Sequence, residues 1–359
     1  MYYRKIIAHA VKYVQTRVKS NHIVTNACLL NSTRNAFATD APQIQRIRKS
    51  YDHGFREPRG SSRTKFLVAT TFTFLFKLFG FEEEEKDDVA ELETTIKRSI
   101  LLIQKGEFNK AEQMLHIALR QAQTLQHYDG ITYVYDVMAN LAYSLDNFKK
   151  AEKLFVSVLQ RLIAKGTPKD DLAVIHISLK IANMCDKRGD KEKAESGYSF
   201  CLQNLQKHLA MDSENVDVLQ LLGLGSEWYA AMLFSQSRYA EALGYLTRAY
   251  DISLKINGEE HEQTVILLND MGTVNCMAKE YDQAIHYLSK AIEIGKKLPD
   301  MLDLGSIYVN LGNTLILKGL YEEAEKSCNE GMRLAKSSDH DESIVEAEKC
   351  LERIKNMMS

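Results

Sequence analysis

Six alanines, Ala111, Ala151, Ala194, Ala242, Ala284 and Ala324, recur at intervals of 40, 43, 48, 42 and 40 residues. Each sits in a similar local pattern. A small residue comes first, then glycine or a polar residue, then an aromatic, the alanine three positions on, and two further small or apolar positions. The fullest instance is Gly272-Tyr281-Ala284-Leu288-Ala291. The others are Gly106-Phe108-Ala111-Leu115-Ala118, Asn140-Phe148-Ala151-Phe155, Ala182-Gly189-Ala194-Tyr198-Cys201, Ala230-Tyr239-Ala242-Leu246-Ala249 and Gly312-Gly319-Tyr321-Ala324. A period of this size marks one supersecondary unit that cannot bury its apolar face alone and stacks on its neighbours instead. From residue 90 onward the apolar positions follow helical spacing. Only 4 Pro and 18 Gly in 359 residues leave few tight turns for an all-β chain.

The pattern resembles the tetratricopeptide repeat, and each element has a physical reason. A small residue (Ala182, Ala230, Gly272, Gly312) lets the first helix of a pair, helix A, lie close to the second, helix B. The aromatic plugs the turn between them, and the alanine admits the next helix. The period exceeds the usual value of about 34, so helices or loops are longer. The expected fold class is all-α: a tetratricopeptide-repeat solenoid of about six helix pairs over roughly residues 92–336. Ile344, Ala347, Leu351 and Ile354 form the stripe of a C-terminal capping helix. Pro168 and Pro299 fall in loops between repeats, where a missing N–H is harmless.

The N-terminus is different in kind. Residues 1–65 hold 13 Lys or Arg and 3 acids, a net of +10, whereas the rest carries a net of −12. Tyr3, Ile7, Val11, Val14 and Val18 make an apolar helical stripe, and Lys5, Lys12 and Lys19 a basic one. A basic, acid-poor amphipathic start has the composition of a mitochondrial transit peptide. Residues 66–81 are the most apolar run, with 11 of 16 positions apolar and Lys77 within. This is shorter than the roughly 20 residues that cross a bilayer. It spans a membrane with Lys77 snorkelling, lies in the interface, or packs as a helix on the protein itself. The expected organisation is a transit peptide and basic segment (1–65), a membrane-associated segment (66–81), an acidic linker (82–89) and a repeat domain (90–358).

Chemistry is hard to find. No phosphate-binding loop, dinucleotide fingerprint, nucleophile elbow or HExxH motif is present. Cys201 and Cys328 fall on core positions of their repeats and Cys276 on a helix A. Cys28 is expected to leave with the presequence, and the other five cysteines to stay unpaired. The ten histidines are dispersed, and a metal site needs a local cluster. No enzyme activity, cofactor, metal or small-molecule substrate is therefore expected, and a net charge of −2 argues against nucleic acid. A repeat protein of this kind offers a concave surface lined by helix A. Counting from the anchoring alanines, candidate protein-binding positions are Tyr133, Asp136, Asn140 and Tyr143 in repeat two. In repeat three they include His176 and Asn183, and in repeat six Asn310 and Asn313. Asn140, Asn183 and Asn313 share one repeat position. Their amides can hold an extended peptide, or they can satisfy groups of neighbouring helices.

The segments at 131–143 (ITYVYDVMANLAY), 177–180 (ISLK), 197–201 (GYSFC) and 258–271 (GEEHEQTVILLNDM) resemble a mitochondrial branch of the tetratricopeptide-repeat family. That resemblance implies a non-enzymatic factor of the mitochondrial inner membrane, required for assembly and maintenance of respiratory complex III, ubiquinol–cytochrome c reductase. It implies complex III subunits as partners, including the Rieske iron–sulfur protein, and clearance of that subunit's fragments. The competing class is a cytosolic adaptor resembling kinesin light chain that binds cargo peptides. The basic amphipathic start followed by an apolar run argues against it.

Overall fold

In the computed structural model the structure describes residues 88–298, 301, 303–337 and 341–358. The transit peptide, the apolar segment 66–81, most of the acidic linker and Pro299 lie outside these. Thirteen helices follow one another among the described residues. They are α1 (Asp88–Gln104), α2 (Phe108–Thr124), α3 (Tyr128–Ser144), α4 (Phe148–Ala164), α5 (Leu172–Lys187), α6 (Lys191–Met211) and α7 (Val216–Ser235). Then come α8 (Tyr239–Asn257), α9 (Glu262–Met277), α10 (Tyr281–Gly295), α11 (Leu304–Lys318), α12 (Tyr321–Ser337) and α13 (Asp341–Met358). Six helix pairs and a C-terminal helix give the all-α tetratricopeptide-repeat solenoid that the alanine period implies. The long interval of 48 residues falls where α6 has 21 residues and α7 has 20. The chain divides into two compact units, Gly225 ending the first and Ser226 opening the second, within α7.

All six anchoring alanines are fully buried. Each is the fourth residue of its helix B. Its N–H donates to the carbonyl of Glu107, Asn147, Asp190, Arg238, Glu280 or Leu320, at 2.9–3.1 Å. These bonds close the first turn of every helix B. In five of the six pairs an aromatic opens helix B, half-buried against the end of helix A, as in the ring pairs Tyr143–Phe148 (6.1 Å) and Phe234–Tyr239 (5.8 Å); in repeat three Lys191 takes its place.

The turn between helices A and B is the same in all six pairs. One residue has a left-handed backbone: Gly106 (φ 76°), Asp146 (55°), Gly189 (86°), Ser237 (63°), Lys279 (67°) and Gly319 (85°). That residue donates its N–H to the carbonyl three residues back, and the next residue donates to the carbonyl five back. This satisfies the last carbonyls of helix A and reverses the chain within three residues. The position read in the sequence as glycine or polar is thus the left-handed turn residue.

The small residues act as expected. A Cβ on Gly272 of α9 would lie 2.6 Å from Leu288 Cγ of α10, and one on Gly312 of α11 would lie 2.3 Å from Cys328 Sγ of α12. In repeat three the close pair is Ala182 and Gly197, where a Cβ on Gly197 would lie 2.8 Å from Ala182 Cβ. Ordinary carbon contacts are about 3.5–4.0 Å, so nothing larger fits. One expectation fails: Cys328 and Cys350 are joined as a disulfide. The sequence showed no close cysteine spacing, but the turn after α12 returns α13 across the same core. Cys185, Cys201 and Cys276 are buried thiols.

The left-handed turn has a measurable cost at a non-glycine residue. Lys279 and Gly319 are exposed, and the space around Gly319 is open, so side-chain packing does not enter. Lys279→Gly is expected to raise stability by about 1 kcal/mol and Gly319→Ala to lower it by a similar amount. Thermal unfolding followed by circular dichroism should read shifts of about 2–4 °C in opposite directions.

Candidate functional site

Helix A has a long polar series inside an otherwise apolar face. In the first unit, Asp136 of α3 is buried, and Asn140 one turn on donates from Nδ2 to Asp136 Oδ2 at 2.9 Å. The Oδ1 of Asn140 accepts from Lys180 Nζ of α5 at 2.6 Å. One amide therefore lies between a buried acid and a buried amine, presenting its donor to one and its acceptor to the other. Burial pushes Asp136 up to about 6, against the Lys180 charge and the Asn140 hydrogen bond. Burial pulls Lys180 down to about 8, against the Asp136 charge. Lys180 also lies 5.4 Å above the Phe155 ring.

His176 lies one turn before Lys180. Its Nε2 is shielded from solvent with no hydrogen-bond partner. Burial, then the Lys180 charge, holds it well below the usual imidazole range and keeps it neutral. One turn after Asn140, Tyr143 Oη donates to Asn183 Oδ1 at 2.9 Å, and Asn183 Nδ2 donates to Tyr198 Oη of α6 at 3.2 Å. Tyr133 is fully buried in the core that α1, α2 and α3 share.

The second unit repeats the device with other residues. Asn310 Nδ2 of α11 donates to Asn269 Oδ1 of α9 at 2.8 Å, and Arg353 Nη1 of α13 donates to Asn313 Oδ1 at 2.9 Å. Ser306 and Ser343 pair through their hydroxyls at 2.7 Å. Glu227 of α7 accepts from Gln263 Nε2 of α9 at 2.7 Å on Oε2, whereas its Oε1 has no partner. Burial, then the charge of Asp270, pushes Glu227 up to about 8, and the Gln263 hydrogen bond only partly offsets this.

The eight candidate residues therefore have defined places. Tyr133, Asp136, Tyr143, Asn183, Asn310 and Asn313 are buried, and Asn140 and His176 are half-buried. Asp136, Asn140, Tyr143 and Asn183 join helix A of one repeat to the next, and Asn310 and Asn313 do the same further along. These bonds satisfy groups of neighbouring helices, and Asn313 Nδ2 is buried without a partner. The sequence reading missed Lys180, Asn269, Glu227, Gln263 and Arg353. A signal was available: Asp136, Glu227 and Asn269 all lie fifteen residues before an anchoring alanine, and Lys180 and Asn310 fourteen before. Polar residues fourteen or fifteen positions before the anchoring alanine, in an otherwise apolar helix, mark a joint.

Among the described residues no three His, Cys, Asp or Glu side chains group as a metal site. A cavity of about 140 Å³ lies between the first two repeats, lined by Leu115, Met138, Leu141 and Leu145 and bordered by the Glu112–Lys150 ion pair. It is smaller than the roughly 300–1,000 Å³ of small-molecule sites. No described helix is long and apolar enough to cross a membrane.

The tetratricopeptide-repeat family profile matches residues 221–297. A Drosophila melanogaster protein named tetratricopeptide repeat protein 19 homolog, mitochondrial, is 38% identical over 303 residues, 84% of this chain and 82% of that protein. The human tetratricopeptide repeat protein 19, mitochondrial, is 32% identical over 269 residues, covering 72% and 70%. Among solved structures, a signal-transduction ATPase with a tetratricopeptide-repeat sensor from Pyrococcus horikoshii superposes with a TM-score of 0.59 at 16% identity, over 78% of this chain and 42% of that one. That likeness bears on the fold alone.

Glu227 makes a pH test of the polar interior. The native state holds its proton up to about pH 8, whereas an unfolded glutamate releases it near 4.5. Between those values the native state binds more protons, so its stability falls as pH rises. Glu227→Gln should remove this contribution and gain on the order of a few kcal/mol at pH 8 relative to pH 5. Urea unfolding of both proteins across that window checks it.

Proposed function

The chain belongs to the family of mitochondrial tetratricopeptide repeat protein 19, and from that premise we propose that it is a non-enzymatic scaffold of the inner mitochondrial membrane. It serves the assembly and maintenance of respiratory complex III. It acts around the Rieske iron–sulfur subunit and the clearance of that subunit's fragments. Family membership over most of the chain is the observation that carries this reading. The helical repeats support it, because stacked helix pairs present surfaces to other proteins.

In this reading residues 1–65 target the chain, 66–81 attach it to the membrane, 82–89 link, and 90–358 are the repeat domain. Arg63 and Lys65 precede the apolar run, and six acids follow it within residues 82–88. If the run spans, the positive-inside tendency puts the basic flank in the matrix and the repeats in the intermembrane space, whereas a run that only lies on the membrane leaves the repeats on the matrix side. The membrane potential favours the same sense. Tyr133, Asp136, Asn140, Tyr143, His176, Asn183, Asn310 and Asn313 then shape the partner surface from within, by fixing the spacing of successive A helices.

Mitochondria from cells lacking this chain should hold less assembled complex III on native gels and accumulate fragments of its iron–sulfur subunit. The full chain should restore both, and a chain with residues 66–81 replaced by a polar linker should not. Unchanged complex III in the deletion would overturn the proposal.

A further inference from the structure

Helix α13 follows the sixth helix pair. It rests on α11 and α12. Ala347, Cys350 and Ile354 are buried with Val309, Leu315 and Ile316 of α11 and with Ala324 and Cys328 of α12. Two polar contacts add to this, Arg353–Asn313 and Ser306–Ser343. Cys328 and Cys350 are both fully buried, and their Cα atoms are 6.1 Å apart, within the span of a disulfide. The third helix makes room for the sulfurs. A Cβ on Gly312 would lie 2.3 Å from Cys328 Sγ and 3.2 Å from Cys350 Sγ. Three helices thus converge on one sulfur pair.

We propose that Cys328–Cys350 is a redox-responsive clip that fastens the terminal helix α13 to the last repeat. Two thiols lose two protons and two electrons, and one S–S bond forms. The oxidant is a disulfide donor, either a protein disulfide or glutathione disulfide, which is reduced to two thiols by exchange through a mixed disulfide. The bond closes a segment with a sequence separation of 22, so its loss frees α13 to move away from α11 over a long tether. Because both sulfurs are buried, a reductant reaches them only when α13 lifts. The docked helix protects the bond, and the bond keeps the helix docked. The inference does not depend on the proposed role in complex III. In the chain's own compartment the clip is closed, and reduction opens it.

The test uses the full chain purified from mitochondria, denatured in N-ethylmaleimide without reductant and digested with trypsin. The peptide of residues 327–333 should be recovered linked to the peptide of residues 350–353, while Cys185 and Cys201 carry the maleimide. Hydrogen exchange of α13 is then compared between the oxidised and reduced full chain. Loop-closure entropy for a segment of this length sets the expected acceleration on reduction at on the order of 100-fold. Cys328→Ala, Cys350→Ala and the double variant should exchange alike, because either change alone breaks the bond. This equality separates the clip from loss of packing, which would accumulate. Maleimide on both Cys328 and Cys350 in the native material would overturn the proposal. So would a linked pair whose reduction leaves α13 exchange unchanged.

Discussion

The structure depends on how closely helix A approaches helix B. At Gly272 and Gly312 a single added carbon would sit well inside contact distance of the partner helix, and at Ala182 and Gly197 two small residues face each other. This approach holds only because a left-handed residue reverses the chain in three positions, and because a fully buried alanine in the first turn of helix B occupies little space. Overpacking at such a contact costs roughly 1–3 kcal/mol. Six copies of one geometry in sequence leave little freedom in how each pair is built.

Close packing brings the A helices near enough for their polar side chains to meet. The Asn140–Lys180, Tyr143–Asn183 and Asn269–Asn310 bonds join partners about one repeat apart in sequence, and Asp136 and Tyr198 extend the first two series within a single repeat. Buried polar groups that find partners fix a single arrangement, and those without partners are costly. Such bonds set the register between one A helix and the next more strictly than apolar contact does. In the second unit Glu227 Oε1, Ser226 Oγ and Asn313 Nδ2 are buried without a partner, and Glu227 is the ionisable one, an acid that holds its proton near neutral pH.

Much of this was legible in the residues. The alanines placed all six pairs, and the aromatics five of them, because packing against a neighbour demands small residues at a fixed period. The Ile344–Ile354 stripe announced α13. Three things were not legible. Asp146, Ser237 and Lys279 adopt the left-handed backbone without being glycine, so composition did not reveal the turn. The polar helix A residues could be located by offset but not assigned a role, since their partners lie about 40 residues away. Cys328 and Cys350 lacked a recognisable spacing, because their meeting depends on how α13 folds back.

A chain whose polar side chains serve its own joints acts through the surface those joints hold in place. The central claim is that this surface engages complex III. Affinity capture of the full chain from detergent-solubilised mitochondria, with quantitative mass spectrometry, measures it most directly. The account expects complex III subunits, the iron–sulfur subunit among them, enriched well above a capture from untagged mitochondria. Complex III at background level, with other proteins enriched in its place, would contradict it.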